Sequence, residues 1–225
     1  GDDLLFLAPV KNKEGLTIFD LCESINSLFQ KNIRNCEAFQ TFEHIPTVSF
    51  GISIQHKKNP LNEALETSGR MLEEAKSGNK NSISLELRKG KGQNIHIKAS
   101  NTHIGALKEL LDLNMKYSQE IFAAPEKTLE NFRNLIEIMD KESRAGRMNA
   151  DAYLSAWMNL FDNDEQRQTQ KYVKYLGEIY YRFFVAQRIP IESVRPEQND
   201  NTLDTFLDLL QLRGFMRSRQ KEDDI

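Results

Sequence analysis

Two carboxylates stand side by side near the amino terminus, Asp2 and Asp3, after Gly1 and before the apolar run Leu4-Leu5-Phe6-Leu7-Ala8, which stops at Pro9. Adjacent acids on a strand-edge turn can hold a divalent cation such as Mg²⁺ or Mn²⁺ and leave coordination positions open for phosphate oxygens. The chemistry this suits is nucleotidyl transfer, in which the ion screens phosphate charge and lowers the cost of forming an alkoxide nucleophile. Gly-Asp-Asp is also a common turn, so its weight depends on the elements around it. A second candidate is Lys76, in a sequence that reads as a helix end: it either meets the last carbonyls of its own helix or reaches a triphosphate as a point charge. Ser49 and Gly51, on a strand, have two readings of equal standing: small residues against a helix, or small residues that leave room for a base.

The elements follow from periodicity. Leu4–Ala8 reads as a buried strand. From Thr17 to about Lys31, Ile18, Leu21, Cys22, Ile25, Leu28 and Phe29 recur at helical spacing. Ser49–Ile54 alternates small or polar with apolar residues, as a strand with one crowded face does. Asn59 is placed to cap a second helix and Pro60 to begin it. That helix ends at Lys76-Ser77-Gly78. Two strands with period-two alternation follow, Ser82–Arg88 and Asn94–Ala99, joined through Lys89-Gly90-Lys91-Gly92-Gln93 as a hairpin.

Beyond about residue 102 every periodic segment is helical. One helix passes through Leu107, Leu110 and Leu111 toward Tyr117. One begins at Pro125 and buries Leu129, Phe132, Leu135, Ile136 and Met139. Another carries Tyr153, Ala156, Trp157 and Leu160, and a long one spans about Asp164 to Gln187. Pro190 and Pro196 mark a loop, and Gly214 is placed to cap a final helix holding Leu203, Phe206, Leu207 and Leu210. Residues 217–224 are charged and read as a frayed end. The fold expected is α+β: a mixed strand-and-helix domain over 1–102 and an all-α bundle over 103–225.

Bulk properties narrow the classes. With 39% hydrophobic and 28% charged residues, no membrane-length apolar stretch and no signal peptide, the chain reads as a folded cytoplasmic protein. Two cysteines in 225 residues make no disulfide framework, and the four histidines, at 44, 56, 96 and 103, lack zinc-site spacing. Cys22 reads as a core thiol. Net charge is +1 over residues 1–100 and −4 over 101–225, which is not a nucleic-acid-binding composition. Lys76, Lys80, Arg88, Lys89 and Lys91 form a local basic cluster whose plain reading is a solvated hairpin and helix end. His56 has no visible partner nucleophile or acid. The aromatic stripe Tyr172, Tyr175, Tyr180, Tyr181, Phe183 and Phe184 is mostly core, with some members and Arg182 and Arg188 left over for a neighbouring subunit.

The order Gly-Asp-Asp, strand, helix, Ser-x-Gly strand, helix ending Ala-Lys, strand resembles the latter half of a palm or nucleotide-cyclase (ferredoxin-like) domain. In finer detail, Val48-Ser49-Phe50-Gly51-Ile52-Ser53-Ile54-Gln55-His56, then Pro60-Leu61, Ala64-Leu65 and Leu72-Glu73-Glu74-Ala75-Lys76, resembles the large subunit of type III CRISPR effector complexes of the Cmr (III-B) type. That resemblance covers the chain in outline, with its motifs confined to residues 1 to about 90. It implies an ATP-consuming enzyme that makes cyclic oligoadenylate messengers when its complex binds target RNA. It implies Asp2 and Asp3 as the catalytic, metal-binding acids of a Gly-Gly-Asp-Asp turn, of which only Gly1 is present. Gly1, Ser49, Gly51 and Lys76 are implied at the nucleotide, and the helical region beside the small subunits, guide RNA and target RNA. The missing first Gly, the missing preceding strand and the lack of a leading Met fit a carboxy-terminal piece of a longer protein, one expected to be inactive alone.

Three alternatives differ in their signatures. A diguanylate-cyclase-like palm carries an acid and then Phe after its Gly-Gly-Asp or Gly-Gly-Glu start, whereas here Leu4-Leu5 follows Asp3, and its helix end matches Ala75–Asn81 only loosely. An RNA-dependent RNA polymerase also displays Gly-Asp-Asp in a hairpin, but the Ser-x-Gly strand and the Ala-Lys helix argue against it. A non-catalytic scaffold would keep the acids yet serve to hold neighbouring proteins and guide RNA.

Overall fold

A computed structural model of the chain describes residues 3–39, 45–78, 80–88, 94–111, 123–161, 167–188, 191–193 and 202–218. The chain divides into two compact units. One comprises Gly1–Glu109, Ile191–Pro196 and Met216–Ile225; the other comprises Leu110–Pro190 and Glu197–Phe215.

The first unit is α+β. Helix α1, Ile18–Asn35, starts at a capping box: Asp20 N–H donates to Thr17 Oγ1, and Thr17 N–H donates to Asp20 Oδ2 at 2.7 Å. It buries Phe19 and Cys22. Burial pushes the Cys22 thiol up to about 12, so it stays protonated and serves as packing. Strand β1, Phe50–Ile54, is followed by helix α2, Leu61–Lys76, then by β2, Ser82–Leu87, and β3, Ile95–Ser100. Strand β1 pairs parallel with β2, so α2 is the crossover of a βαβ unit. Strands β2 and β3 pair antiparallel; the residues 89–93 that connect them lie outside the described residues. A fourth strand, β4, Ile191–Ser193, joins β3 antiparallel, giving the order β1-β2-β3-β4.

The register aligns small and polar residues in rows across the sheet. Gly51 faces Ser84, which faces Lys98; Ser53 faces Glu86, which faces His96. The alternate positions are apolar: Ile83, Leu85, Leu87, Ile95, Ile97 and Ala99 are all buried. Helix α2 lies on the small and polar face, and Gly51 shows why. A Cβ there would stand 2.5 Å from the Ser68 carbonyl oxygen and collide with the Leu72 backbone. Strand and helix meet at backbone distance, and only glycine permits it.

In the second unit the elements are α4, Ala123–Asn131; α5, Arg133–Arg144; α6, Ala150–Asn159; α7, Arg167–Tyr180; and most of α8, Thr202–Ser218. Helix α7 runs into a π-helical turn over Tyr181–Ala186, where Gln187 N–H reaches back five residues to the Arg182 carbonyl at 3.0 Å. Helix α3, Ile104–Leu110, belongs to the first unit. The core of the second unit is aromatic. Trp157 and Tyr180 stack with centroids 5.3 Å apart, and Tyr180 meets Phe206 edge-on at 5.0 Å.

Several expectations change. Leu4–Ala8 is not a strand: it makes no ladder, and Leu4 is 82% exposed and Leu7 74% exposed. A strand needs a partner for its backbone groups, and none of the described residues pairs with this run or with the outer edge of β1. Asn59 is not the cap of α2; Pro60 holds that position without a side-chain bond, and Asn59 N–H closes a turn onto the His56 carbonyl at 2.9 Å. The single helix expected from Pro125 is two, broken at Phe132, which together with Leu135 is exposed. Gly214 lies inside α8 instead of ending it. The segment between the two prolines contributes β4. The continuation toward Tyr117 and the charged tail beyond residue 218 lie outside the described residues.

Candidate active site

The last turn of α2 is where the sequence-predicted residues meet. Lys76 Nζ donates to Asp3 Oδ1 at 2.9 Å, across 73 positions of chain. Gly1 and Asp2 lie outside the described residues. The pair is half exposed, with side-chain exposures of 34% for Lys76 and 63% for Asp3, so its contribution to stability is small and its atoms are accessible to a ligand.

Four consecutive residues of this turn are held by side-chain bonds to other parts of the unit. Glu74 Oε2 lies 2.8 Å from His96 Nε2 on β3. The Ala75 carbonyl accepts from Ser82 Oγ at 2.6 Å. Lys76 holds Asp3, and Ser77 Oγ accepts from Lys98 Nζ at 3.1 Å. Behind them, Ser84 Oγ donates to Met71 Sδ at 3.5 Å and stands 3.3 Å from His96 Nε2. These contacts are consistent with Nε2 carrying the proton that Glu74 receives. Further along the same face Arg70 donates to Glu86 at 2.6 Å, and Arg88 pairs with Glu63. Helix α2 ends at Lys76 with Ser77 as its cap, and Gly78 just beyond turns the chain away with a φ of +72°, in the left-handed region.

The other expected residues sit elsewhere. Ser49 lies just before β1 and is half-buried. Gly51 faces Ser68 and Leu72, one turn of α2 before Lys76, and its lack of a side chain is required by that helix. His56 Nδ1 accepts from the Lys58 backbone at 3.0 Å, a local turn contact. Of the basic cluster, Lys80 is exposed, Arg88 is engaged by Glu63, and Lys89 and Lys91 lie outside the described residues. Sequence reasoning missed His96, Lys98, Ser82 and Glu74. Their signal was present as polar alternation in two strands, but which helix residue each would meet depends on register and helix phase.

A hard divalent cation fits the chemistry here. The Asp3 carboxylate already holds a positive group, and Mg²⁺ takes one or two carboxylates, keeping water and substrate phosphate oxygens for the rest of its shell. Among the described residues no group of three or more His, Cys, Asp or Glu is placed to form a protein-only metal cage.

The first unit, with Asp3 beside the lysine at the end of a βαβ crossover helix, has the make-up of a partial palm domain. Comparison with protein families agrees: residues 1–84 match the model described as Cas10/Cmr2, second palm domain. The match supports a Cas10/Cmr2-type large subunit and, with it, a large-subunit role in a type III CRISPR effector complex. No curated protein and no solved structure gives a significant match. No helix among the described residues is long and apolar enough to cross a membrane.

Proposed function

We propose that this chain carries the nucleotidyl-transfer half of a type III effector large subunit, of the Cmr type, that converts ATP into cyclic oligoadenylates when its complex binds target RNA in the cytoplasm. The observation that carries the reading is the Asp3–Lys76 contact, which joins an acid of the Gly-Asp-Asp turn to the cation of the Ala-Lys helix end. The match over residues 1–84 supports it. In this reading Asp2 and Asp3 hold Mg²⁺ or Mn²⁺, which polarises the phosphates and lowers the cost of a 3′-alkoxide. Lys76 leaves Asp3 for the triphosphate, where its point charge offsets phosphate charge. Ser49 and Gly51 act through β1, with Gly51 fixing how closely α2 approaches. The helical region over 103–225 lies beside small subunits, guide RNA and target RNA.

The test is the assembled complex supplied with ATP, Mg²⁺ and cognate target RNA, its products read by mass spectrometry. Adenylate oligomers should form, and Asp2→Ala with Asp3→Ala should remove them while target RNA binding persists. Synthesis by the double variant overturns the assignment, and absence of product from a complex that binds RNA favours a scaffold.

A further inference from the structure

The negative net charge of the helical half conceals a segregation. Residues 167–188 carry five basic side chains and one acidic, whereas the rest of 101–225 carries twelve basic and twenty acidic. Helix α7 accounts for this. Its inner face is packed: Tyr172, Val173, Leu176, Ile179 and Tyr180 are buried, the Val173 carbonyl accepts from Trp157 Nε1 at 3.0 Å, and a Cβ on Gly177 would stand 2.6 Å from the Trp157 ring. The opposite face holds Lys171, Lys174 and Glu178, at helical spacing and all exposed. Arg182 follows four residues on, exposed near the start of the π-helical turn. At a rise of 1.5 Å per residue the row from Lys171 to Arg182 runs for about 16 Å.

This row is short of counter-charge. Lys171 makes no ion pair among the described residues, and Lys174 meets Glu178 only at 3.9 Å, with side-chain exposures of 64% and 50%. A pair so exposed contributes little and yields readily to a competing anion. The row is also short of apolar surface: among the described residues, none of the exposed large apolar side chains lies on α7. A protein interface is built around a desolvated apolar or aromatic centre, with charge at its rim. A line of cations on a firmly packed helix, without such a centre, instead fits a linear polyanion gripped along its backbone.

We infer that the outer face of α7 is a docking surface for the phosphodiester backbone of target RNA, with Lys171 and Lys174 as phosphate contacts and Arg182 extending their line. Contacts of this kind position a strand and carry no sequence information, which suits a target whose sequence changes from one guide to the next. The inference rests on the proposed RNA-bound complex but not on its ATP chemistry, and it concerns residues beyond the 1–84 matched to the palm family.

The experiment is the affinity of the assembled complex for a cognate target RNA, measured between about 50 and 200 mM salt. The natural chain is compared with Lys171→Glu plus Lys174→Glu, with Lys171→Arg plus Lys174→Arg, and with Lys141→Glu, which reverses an exposed charge on α5 of the same unit. Charge reversal on α7 should weaken binding by about tenfold and make the fall of log affinity with log salt shallower by about one to two units, as the loss of two phosphate contacts requires. The arginine pair should keep both, and so should Lys141→Glu. Unchanged affinity and slope in the charge-reversed complex, or an equal loss from Lys141→Glu, overturn the inference. Loss of a protein subunit or of the guide RNA from the charge-reversed complex overturns it too, because the row is then an assembly contact. If the double reversal disturbs folding, Glu178→Lys serves instead: it adds a cation to the row, so it should tighten binding and steepen the salt dependence, and unchanged binding overturns the inference. Oligoadenylate output of the natural complex, read in parallel, bears on the catalytic reading alone; its absence defeats that reading while the salt dependence still decides this one.

Discussion

The two units use polar side chains in opposite ways. In the first, the polar groups sit at the rim of an apolar sheet and fasten a helix end whose lysine and serine are open to solvent: Lys76 to Asp3, Ser77 to Lys98, Glu74 to His96. In the second, the principal polar group is sealed inside. Asp140 is 5% exposed and accepts from Tyr153 Oη at 2.6 Å and Tyr180 Oη at 2.8 Å, within a cluster that includes Trp157. An accessible network can exchange partners for a ligand. A sealed one cannot, and the two tyrosine bonds offset part of its burial cost. The contrast predicts that substitutions in the first network change activity with little effect on folding, and those in the second do the reverse.

The largest effect expected is on synthesis. In the assembled complex, Asp3→Ala should lower the rate of oligoadenylate formation by about a thousandfold, with the thermal midpoint unchanged because Asp3 is exposed and its ion pair with Lys76 is half exposed. A large fall in the midpoint would make Asp3 structural and break the contrast. Next comes Trp157→Ala, which removes a fully buried ring and its bond to the Val173 carbonyl at 3.0 Å. Urea unfolding should show about 3–5 kcal/mol of destabilisation, with Mg·ATP affinity intact wherever the protein stays folded. Gly51→Ala sharpens the comparison, since it tests the one place where the first unit is unforgiving. The added methyl meets the backbone of α2, and a loss of about 1–3 kcal/mol is expected. Stability equal to the natural chain would show that β1 and α2 are not in backbone contact.

A smaller, pH-dependent effect belongs to Asp140. Burial raises its carboxyl above the ordinary value, more than the two tyrosine bonds and Arg144 lower it. Tyr153 and Tyr180 are raised as well, chiefly by burial and then by the nearby carboxylate, and they remain protonated donors. The folded state therefore holds the Asp140 proton to higher pH than the unfolded chain. The stability this group contributes is complete below the ordinary carboxylate range and is lost as pH rises through the raised value. Urea midpoints of the natural chain minus those of Asp140→Asn should fall over that window, and a flat difference would remove Asp140 from the account. The smallest effect expected is Thr17→Ala, which deletes the capping box of α1 at about 1 kcal/mol, visible as a few degrees in a thermal melt.

Much of the first unit was legible because its signals are local. The stripe Ile18, Leu21, Cys22, Ile25 marked α1, and alternation marked β1, β2 and β3, each to within a few residues of its bounds. Lys76 and Asp3 were each identifiable as candidates; their contact was not, because it joins positions 73 apart. Leu4–Ala8 misled because an apolar run has the composition of a strand whether or not a neighbour is there to pair with it. Phe132 and Leu135 misled because helical spacing fixes which residues share a face and leaves open whether that face is covered. Strand β4 was illegible because three residues between prolines carry too little pattern. His96 was scattered among four histidines until the register placed it over Glu74.

The wide turn after α7 has a consequence for how this chain tolerates change in length. Three successive residues, Phe183, Phe184 and Val185, are all buried there. On an ordinary helix they would fan through about 200°, turning one of them outward. The extra residue accommodated by the five-residue hydrogen bond lets all three stay inside. Removing a single residue from Tyr181–Ala186 would leave a perfectly acceptable helix and expel an apolar side chain into water. At this spot insertion and deletion, rather than the chemistry of any one side chain, govern what the interior contains.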